Sequence, residues 1–337
     1  MNSSKKAFDL PFSWLFSIVA GAFIIFIAIY ATVHFVNPIV HTQQSVSAQE
    51  LLNYLNPVVN GITSAYATKV TFNKNTRIYF NCSTATTSSP FFGRESLAFS
   101  EESGLITKWP APGEPVSRYN KYIFSNDIEQ GKTFFIFSKP FYTGFRVDDL
   151  IFLSANRYCF IAPPESIADE LSRLAIANIN LTNTSDACSK DSIKVCFGST
   201  FAGCNVSVYG TCNELGCNSE YDSGYITKQG KKINYFGSLI YAGIFSSPTI
   251  YECNVKRLGN KIGLLAKVYS EKIDVIKEKN CDSVIDGNLA LINSYALALN
   301  GSLGLEGIYA QAMDMDGKNC EVSEDCRVYA PENNDRC

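Results

Sequence analysis

The sequence is short of the residues that most active sites are built from. Only two histidines, two tryptophans and three methionines occur in 337 residues. Both histidines, His34 and His41, precede the main body of the chain, so that body has no imidazole for a Ser-His-Asp or Cys-His site, nor for an H-E-x-x-H zinc site. There is no G-x-S-x-G elbow and no phosphate-binding glycine loop. No cofactor motif is present, and no catalytic residue is assigned. Basic and acidic residues number 29 and 32, with no long run of either sign. That balance gives no electrostatic footprint for nucleic acid. Adjacent carboxylates, Glu101-Glu102 and Asp148-Asp149, leave a hydrolase that uses carboxylates alone as an alternative, although neighbouring strand residues point to opposite faces.

Charge is absent from residues 12–36. As one helix this apolar run rises about 37 Å, more than the about 30 Å hydrocarbon core of a bilayer. A transmembrane helix over 12–36, in contact with membrane lipid, is therefore expected, with Trp14 and Tyr30 near the interfaces. Lys5 and Lys6 precede the run and Lys69 is the first basic residue after it. The positive-inside bias then puts residues 1–11 in the cytoplasm and the remainder outside a cell membrane crossed once.

Twelve cysteines are present, none before Cys82. Cys82, Cys159, Cys188, Cys196, Cys204, Cys212, Cys217, Cys253, Cys281, Cys320, Cys326 and Cys337 read as disulfide partners in an oxidising space. Cys188, Cys196, Cys204 and Cys212 recur every eight residues in a Gly, Ser and Asn rich segment, which suggests stapled hairpins over 188–217. If 249–279 is one helix, Cys253 and Cys281 lie about 42 Å apart along its axis and cannot pair. Cys253 must then reach the sheet or the hairpin region, and Cys281 a later cysteine such as Cys320, Cys326 or Cys337.

The pattern along the chain predicts an α+β fold with strands first and helices later. Residues 43–55 read as a helical stalk within a juxtamembrane segment, 37–68. Aromatic and β-branched runs at 69–82, 96–100, 121–124, 133–139, 147–153 and 157–162 read as strands of a mixed or antiparallel ectodomain over 69–247. In the run from Phe134 to Phe145, alternation puts Phe135 and Phe137 on one face and Phe134 and Ile136 on the other, as in a strand covered on both sides. Ser166 is placed as an N-cap with Asp169 three residues on. Residues 225–235 form two strands around a glycine turn. Tyr251, Val255, Leu258, Ile262, Leu265, Tyr269 and Ile276 mark a helix-packing seam, and 289–299 a second helix, in a helical subdomain over 248–305. A polar tail covers 306–337. Within it Asp314, Asp316 and Asp325 resemble the start of a calcium loop, although Lys318 and Asn319 replace a ligand and the usual glycine. Asn180 and Asn183 are the glycosylation candidates.

Several phrases resemble an uncharacterised family of archaeal single-pass membrane proteins. They are Phe8-Asp9-Leu10-Pro11-Phe12-Ser13-Trp14, Lys121-Tyr122-Ile123-Phe124-Ser125, Phe137-Ser138-Lys139-Pro140-Phe141, Ser192-Ile193-Lys194-Val195-Cys196-Phe197 and Ile250-Tyr251-Glu252-Cys253. The resemblance implies one anchored, outward-facing chain and brings no activity with it. Lys5-Lys6-Ala7 before Phe8 also resembles the leader junction of type IV pilins, which implies a surface filament subunit. The expected function is a non-enzymatic binding or assembly component of the cell envelope, acting through protein partners or self-association.

Overall fold

The computed structural model describes residues 12–31, 51, 66–84, 92–103, 109–198, 202–213, 216–217, 221–278, 281 and 283–330. The first sheet contains β1 (Tyr66–Ser83), β2 (Arg94–Glu101), β3 (Val116–Arg118), β4 (Tyr122–Phe124), β5 (Ile128–Thr143) and β6 (Phe145–Ser154), in the order β3-β2-β1-β5-β6-β4. All its pairings are antiparallel except β4 with β6. Its two faces bury separate apolar clusters. Phe137 and Phe152 belong to the larger one, Phe134, Ile136, Ile78 and Phe99 to the smaller. The period-two pattern of 134–137 thus describes a strand with both faces covered. Leu51, from the expected stalk, is buried in the smaller cluster; the rest of 37–65 lies outside the described residues.

The second sheet is built from β7 (Arg157–Ile161), β8 (Ile179–Thr182), β9 (Ser192–Phe197), β10 (Val206–Gly210), β13 (Ser223–Lys228) and β14 (Lys231–Phe236), ordered β14-β13-β10-β9-β7-β8. A short ribbon, β11 (Cys212–Asn213) with β12 (Gly216–Cys217), interrupts the chain between them. Helix α2 (Glu165–Leu174) makes the parallel crossover from β7 to β8 and buries Ile167 and Leu171. Its cap is Pro164, two residues before the expected Ser166. Proline's fixed φ presets that entry without a side-chain cap.

The cysteine-rich segment is not a run of stapled hairpins throughout. Strands β9 and β10 are parallel neighbours. A parallel pair ordinarily needs a crossover of about a dozen residues or more. Here the Cys196–Cys204 disulfide, eight residues apart in sequence, closes the short return. The hairpin β13–β14 turns through Gln229 and Gly230, both at positive φ (52° and 73°), as a two-residue type I′ turn requires.

Between the sheets lies α3 (Leu239–Phe245), every residue of it buried. The Phe245 ring sits 5.2 Å from Phe137 of the first sheet and 4.5 Å from Tyr158 of the second. Helix α4 (Pro248–Lys277) follows, with Pro248 in its first turn and the Ser247 hydroxyl accepting from the Ile250 amide at 3.3 Å. Its buried seam contains Tyr251, Val255, Leu258, Ile262 and Ile276, with Leu265 and Tyr269 partly covered. Ile273 is buried where the seam reached Lys272, whose ammonium instead donates to the Val328 carbonyl. Helix α5 (Asp286–Ala298) packs beside it, and α6 (Leu305–Cys320) packs against α5.

Two expectations are corrected. The fold is α+β and disulfide-stapled, but among the described residues no helix is long and apolar enough to cross a membrane. Helix α1 (Phe12–Ala31) instead carries apolar side chains such as Phe16, Ile24 and Phe26 exposed. The polar tail, in turn, begins with α6, which buries Leu305, Ile308, Ala312 and Met315 against the body.

Close approach between β10 and β13 depends on Gly224, where a Cβ would stand 2.0 Å from the Tyr209 carbonyl oxygen. Gly224→Ala is expected to push these strands apart and lower stability by about 1–3 kcal/mol. A thermal melt of the variant beside the parent chain measures this, and an unchanged midpoint would contradict the close packing.

Candidate binding site

A cleft of about 870 Å³ opens where the end of the second sheet meets α6. The alternation that buries Val208 and Ile226 turns Tyr209 and Tyr225 to the opposite face. They are cross-strand partners in the β10–β13 register, and their rings stack at 4.8 Å with planes 20° apart. Lys232 of β14 places its ammonium 3.9 Å from the centre of the Tyr225 ring. Tyr235 donates its hydroxyl to the Tyr209 carbonyl at 3.2 Å. Tyr221 stands at φ 58° and packs edge-on against Phe197 at 5.4 Å. A left-handed backbone at a bulky residue is uncommon and is held by its surroundings. From α6 come Glu306 and Tyr309, the latter 5.5 Å from Phe236. Burial raises the hydroxyl pKa of Tyr221 and Tyr235, so both remain neutral hydrogen-bonding groups at ordinary pH.

The buried charges lie elsewhere and serve one another. Arg257 of α4 and Glu95 of β2 are fully buried and paired at 2.8 Å. Arg257 also donates to the carbonyls of Phe92 and Tyr119 and to Asn254 Oδ1, at 2.8, 2.9 and 2.6 Å. Its guanidinium lies 4.8 Å from the centre of the Tyr122 ring. Glu95 Oε1 is buried with no hydrogen-bond partner. Burial raises the Glu95 pKa from 4.5 to about 8, outweighing the Arg257 charge and the Asn254 hydrogen bond. The ion-pair distance alone would suggest a carboxylate. The partnerless oxygen favours burial as the winning influence, since an uncharged acid is the form that an unsolvated oxygen tolerates.

Glu129 forms a second network. Its two oxygens accept from Asn126, Ser154, Ala155 and Asn156. Lys228 donates to the carbonyls of Ile244 and Ser246, both at 2.8 Å, at the C-terminal end of α3. Burial draws the Lys228 pKa down to about 8. Neither network lines the cleft. Both read as frameworks that hold β2, α4 and α3 in place.

The sequence-derived candidates fall as follows. Cys82 pairs with Cys253, Cys159 with Cys188, Cys196 with Cys204 and Cys281 with Cys326. Cys253 thus reaches a strand and Cys281 a later cysteine, as the length of α4 demands. Cys320 is also disulfide-bonded, Cys212 faces Cys217 across β11 and β12, and no described cysteine is free; Cys337 lies outside the described residues. Asn180 is exposed on β8 and Asn183 just beyond it. Asp314 and Asp316 stand on helix α6 instead of a calcium loop. Asp314 accepts from Lys318 and Asn288 at 2.6 and 2.8 Å, and Asp316 from the Tyr329 hydroxyl at 2.8 Å. Asp325 lies in a separate 3₁₀ turn, 324–326, so helix replaces the loop geometry that calcium requires. Among the described residues no three metal-ligating side chains converge. Asp148 and Asp149 pair with different cations, Lys261 and Arg146. Both histidines lie outside the described residues.

Sequence reading missed the cleft and the buried pair. The signal for the cleft was the Val-Ser-Val-Tyr alternation of 206–209. The signal for the pair was Glu95 sharing the inward face of β2 with Leu97 and Phe99. No protein-family model, no curated protein and no solved structure matches this chain.

Proposed function

We propose that the protein is an extracytoplasmic, non-enzymatic binding component of the cell envelope. The observation that carries binding is the tyrosine-lined cleft, concave, preformed and bordered by groups that can orient a ligand. The disulfides support an oxidising compartment, because they join segments up to 171 residues apart and no described cysteine is free. Asp148 and Asp149, one of the adjacent pairs behind the hydrolase alternative, are held by different cations, Lys261 and Arg146, which argues against that alternative.

Thiol labelling tests the compartment. In intact cells an impermeant maleimide is expected to label this chain only after reduction. Thiols that are protected in intact cells and react on lysis without reductant would sink the extracytoplasmic reading.

One observation favours assembly as a second reading. Helix α1 carries its apolar side chains exposed, with Phe16, Ile24 and Phe26 each about two-thirds accessible. Such a surface is unusual for a solitary chain and suits association with other helices. The pilin-like version of this reading requires that the mature chain begin at Phe8. N-terminal sequencing decides it, and a chain still starting at Met1 removes it.

A further inference from the structure

We infer that the tyrosine cleft takes a neutral saccharide of two or three rings, a ligand class that rests on the reading of the cleft as a binding site. The lining itself discriminates among ligand classes. Among the described lining residues Lys232 and Glu306 give it one charge of each sign, with no excess of either for a strongly ionic ligand. A wholly apolar ligand would desolvate the Asn234 amide and the tyrosine hydroxyls without replacing their hydrogen bonds. What remains is a surface of aromatic planes edged by groups that both donate and accept, Tyr209, Tyr225, Ser223 and Asn234 among them. A pyranose matches it, with an apolar C–H face to lie on a ring and hydroxyls around its edge. The volume, about 870 Å³, is in the range of preformed small-ligand sites.

The stack also indicates where the first sugar lies. Tyr209 covers one face of Tyr225 and the Lys232 ammonium covers the other. Lys232 is exposed and its side chain is flexible, and an exposed cation–π contact is among the weaker interactions a side chain makes. The lysine is a displaceable cap. A sugar ring takes its place on Tyr225, and the ammonium swings to solvent.

The test uses the full chain and three soluble probes, cellotriose, maltotriose and N,N′,N″-triacetylchitotriose, followed by calorimetry and saturation-transfer NMR, with p-cresol as an aromatic control. At least one trisaccharide is expected to bind. Tyr225→Ala should weaken it about tenfold, the scale of one lost aromatic stacking contact. Tyr225→Phe should retain most of the affinity, and Tyr225→Leu serves if the alanine variant does not fold. Lys232→Ala should tighten binding about threefold, the scale of a released weak contact. Loss of binding in Lys232→Ala would overturn the inference, because the lysine would then hold the ligand instead of giving way to it. If no trisaccharide binds while p-cresol binds in a Tyr225-dependent way, the saccharide class falls and the binding cleft stands. If neither binds, both fall.

Discussion

Replacing Arg257 with methionine is expected to destabilise the protein by about 3–5 kcal/mol, because it leaves several buried acceptors without their donor. Arg257 joins three segments distant in sequence: β2 and the loop before it, through Glu95 and the Phe92 carbonyl; the Tyr119 carbonyl; and its own helix α4, through Asn254 one turn back. Its loss strands three backbone or side-chain acceptors and leaves Glu95 Oε2 without its donor. Denaturant unfolding measures the effect as a lower midpoint with an unchanged slope. The double variant Glu95→Leu/Arg257→Met is expected to recover part of the loss, since an apolar pair removes the buried, partnerless carboxyl group but not the orphaned carbonyls. A single variant as stable as the parent would show that this pair does not hold α4 to the first sheet.

The same pair gives a pH dependence of defined sign. Burial raises the folded pKa of Glu95 from 4.5 to about 8, so between those values the folded chain holds a proton that the unfolded chain releases. Its contribution is fully present below 4.5 and is lost as pH rises through about 8. The unfolding midpoint should therefore fall across that window, and Glu95→Gln should flatten the decline. Lys228 acts only above it. Its pKa is lowered from 10.5 to about 8, so its contribution is present above 10.5 and lost as pH falls through about 8.

Disulfide removal should have effects ordered by the length of chain each bridge closes. Cys82–Cys253 spans 171 residues and ties β1 to α4, whereas Cys196–Cys204 spans eight. On the chain-entropy account the first is worth about 5 kcal/mol and the second about 2.5 kcal/mol. Paired Cys→Ala variants, Cys82→Ala/Cys253→Ala and Cys196→Ala/Cys204→Ala, compared by chemical denaturation, test the order. Equal losses would mean that local packing, not chain entropy, sets the value of these bridges. The long bridge and the Arg257 network bind the same two elements, β1–β2 and α4, so the combination of Arg257→Met with loss of Cys82–Cys253 should not be additive.

Most of the strands and the helices α4 and α5 were legible because their signal is local. Alternation at 134–137 placed phenylalanines on two faces, and the seam from Tyr251 onward gave the buried side of α4. The length of that helix was enough to forbid Cys253–Cys281 and to direct each cysteine elsewhere. The parallel β9–β10 return and the third helix of the C-terminal group, α6, were not legible. Each depends on a partner or a boundary that composition does not encode. Polar residues such as Asp314 and Lys318 look like loop in sequence, yet they are the solvent side of α6, whose apolar side is used only when α5 and the first sheet are beside it.

By itself the sequence determined the α+β class, the scarcity of imidazole and the use of cysteines as disulfides. These follow from periodicity and composition, which are properties of short windows and of counts. Only tertiary structure decided that Glu95 and Arg257 meet in the interior, that α3 is the filling between two sheets, and that Tyr209, Tyr225 and Tyr309 border one cleft. Those contacts join residues up to 162 positions apart, and such pairings are selected by how whole surfaces pack together. The shortage of histidine excluded one set of functions at the outset; the converging tyrosines supply a positive one.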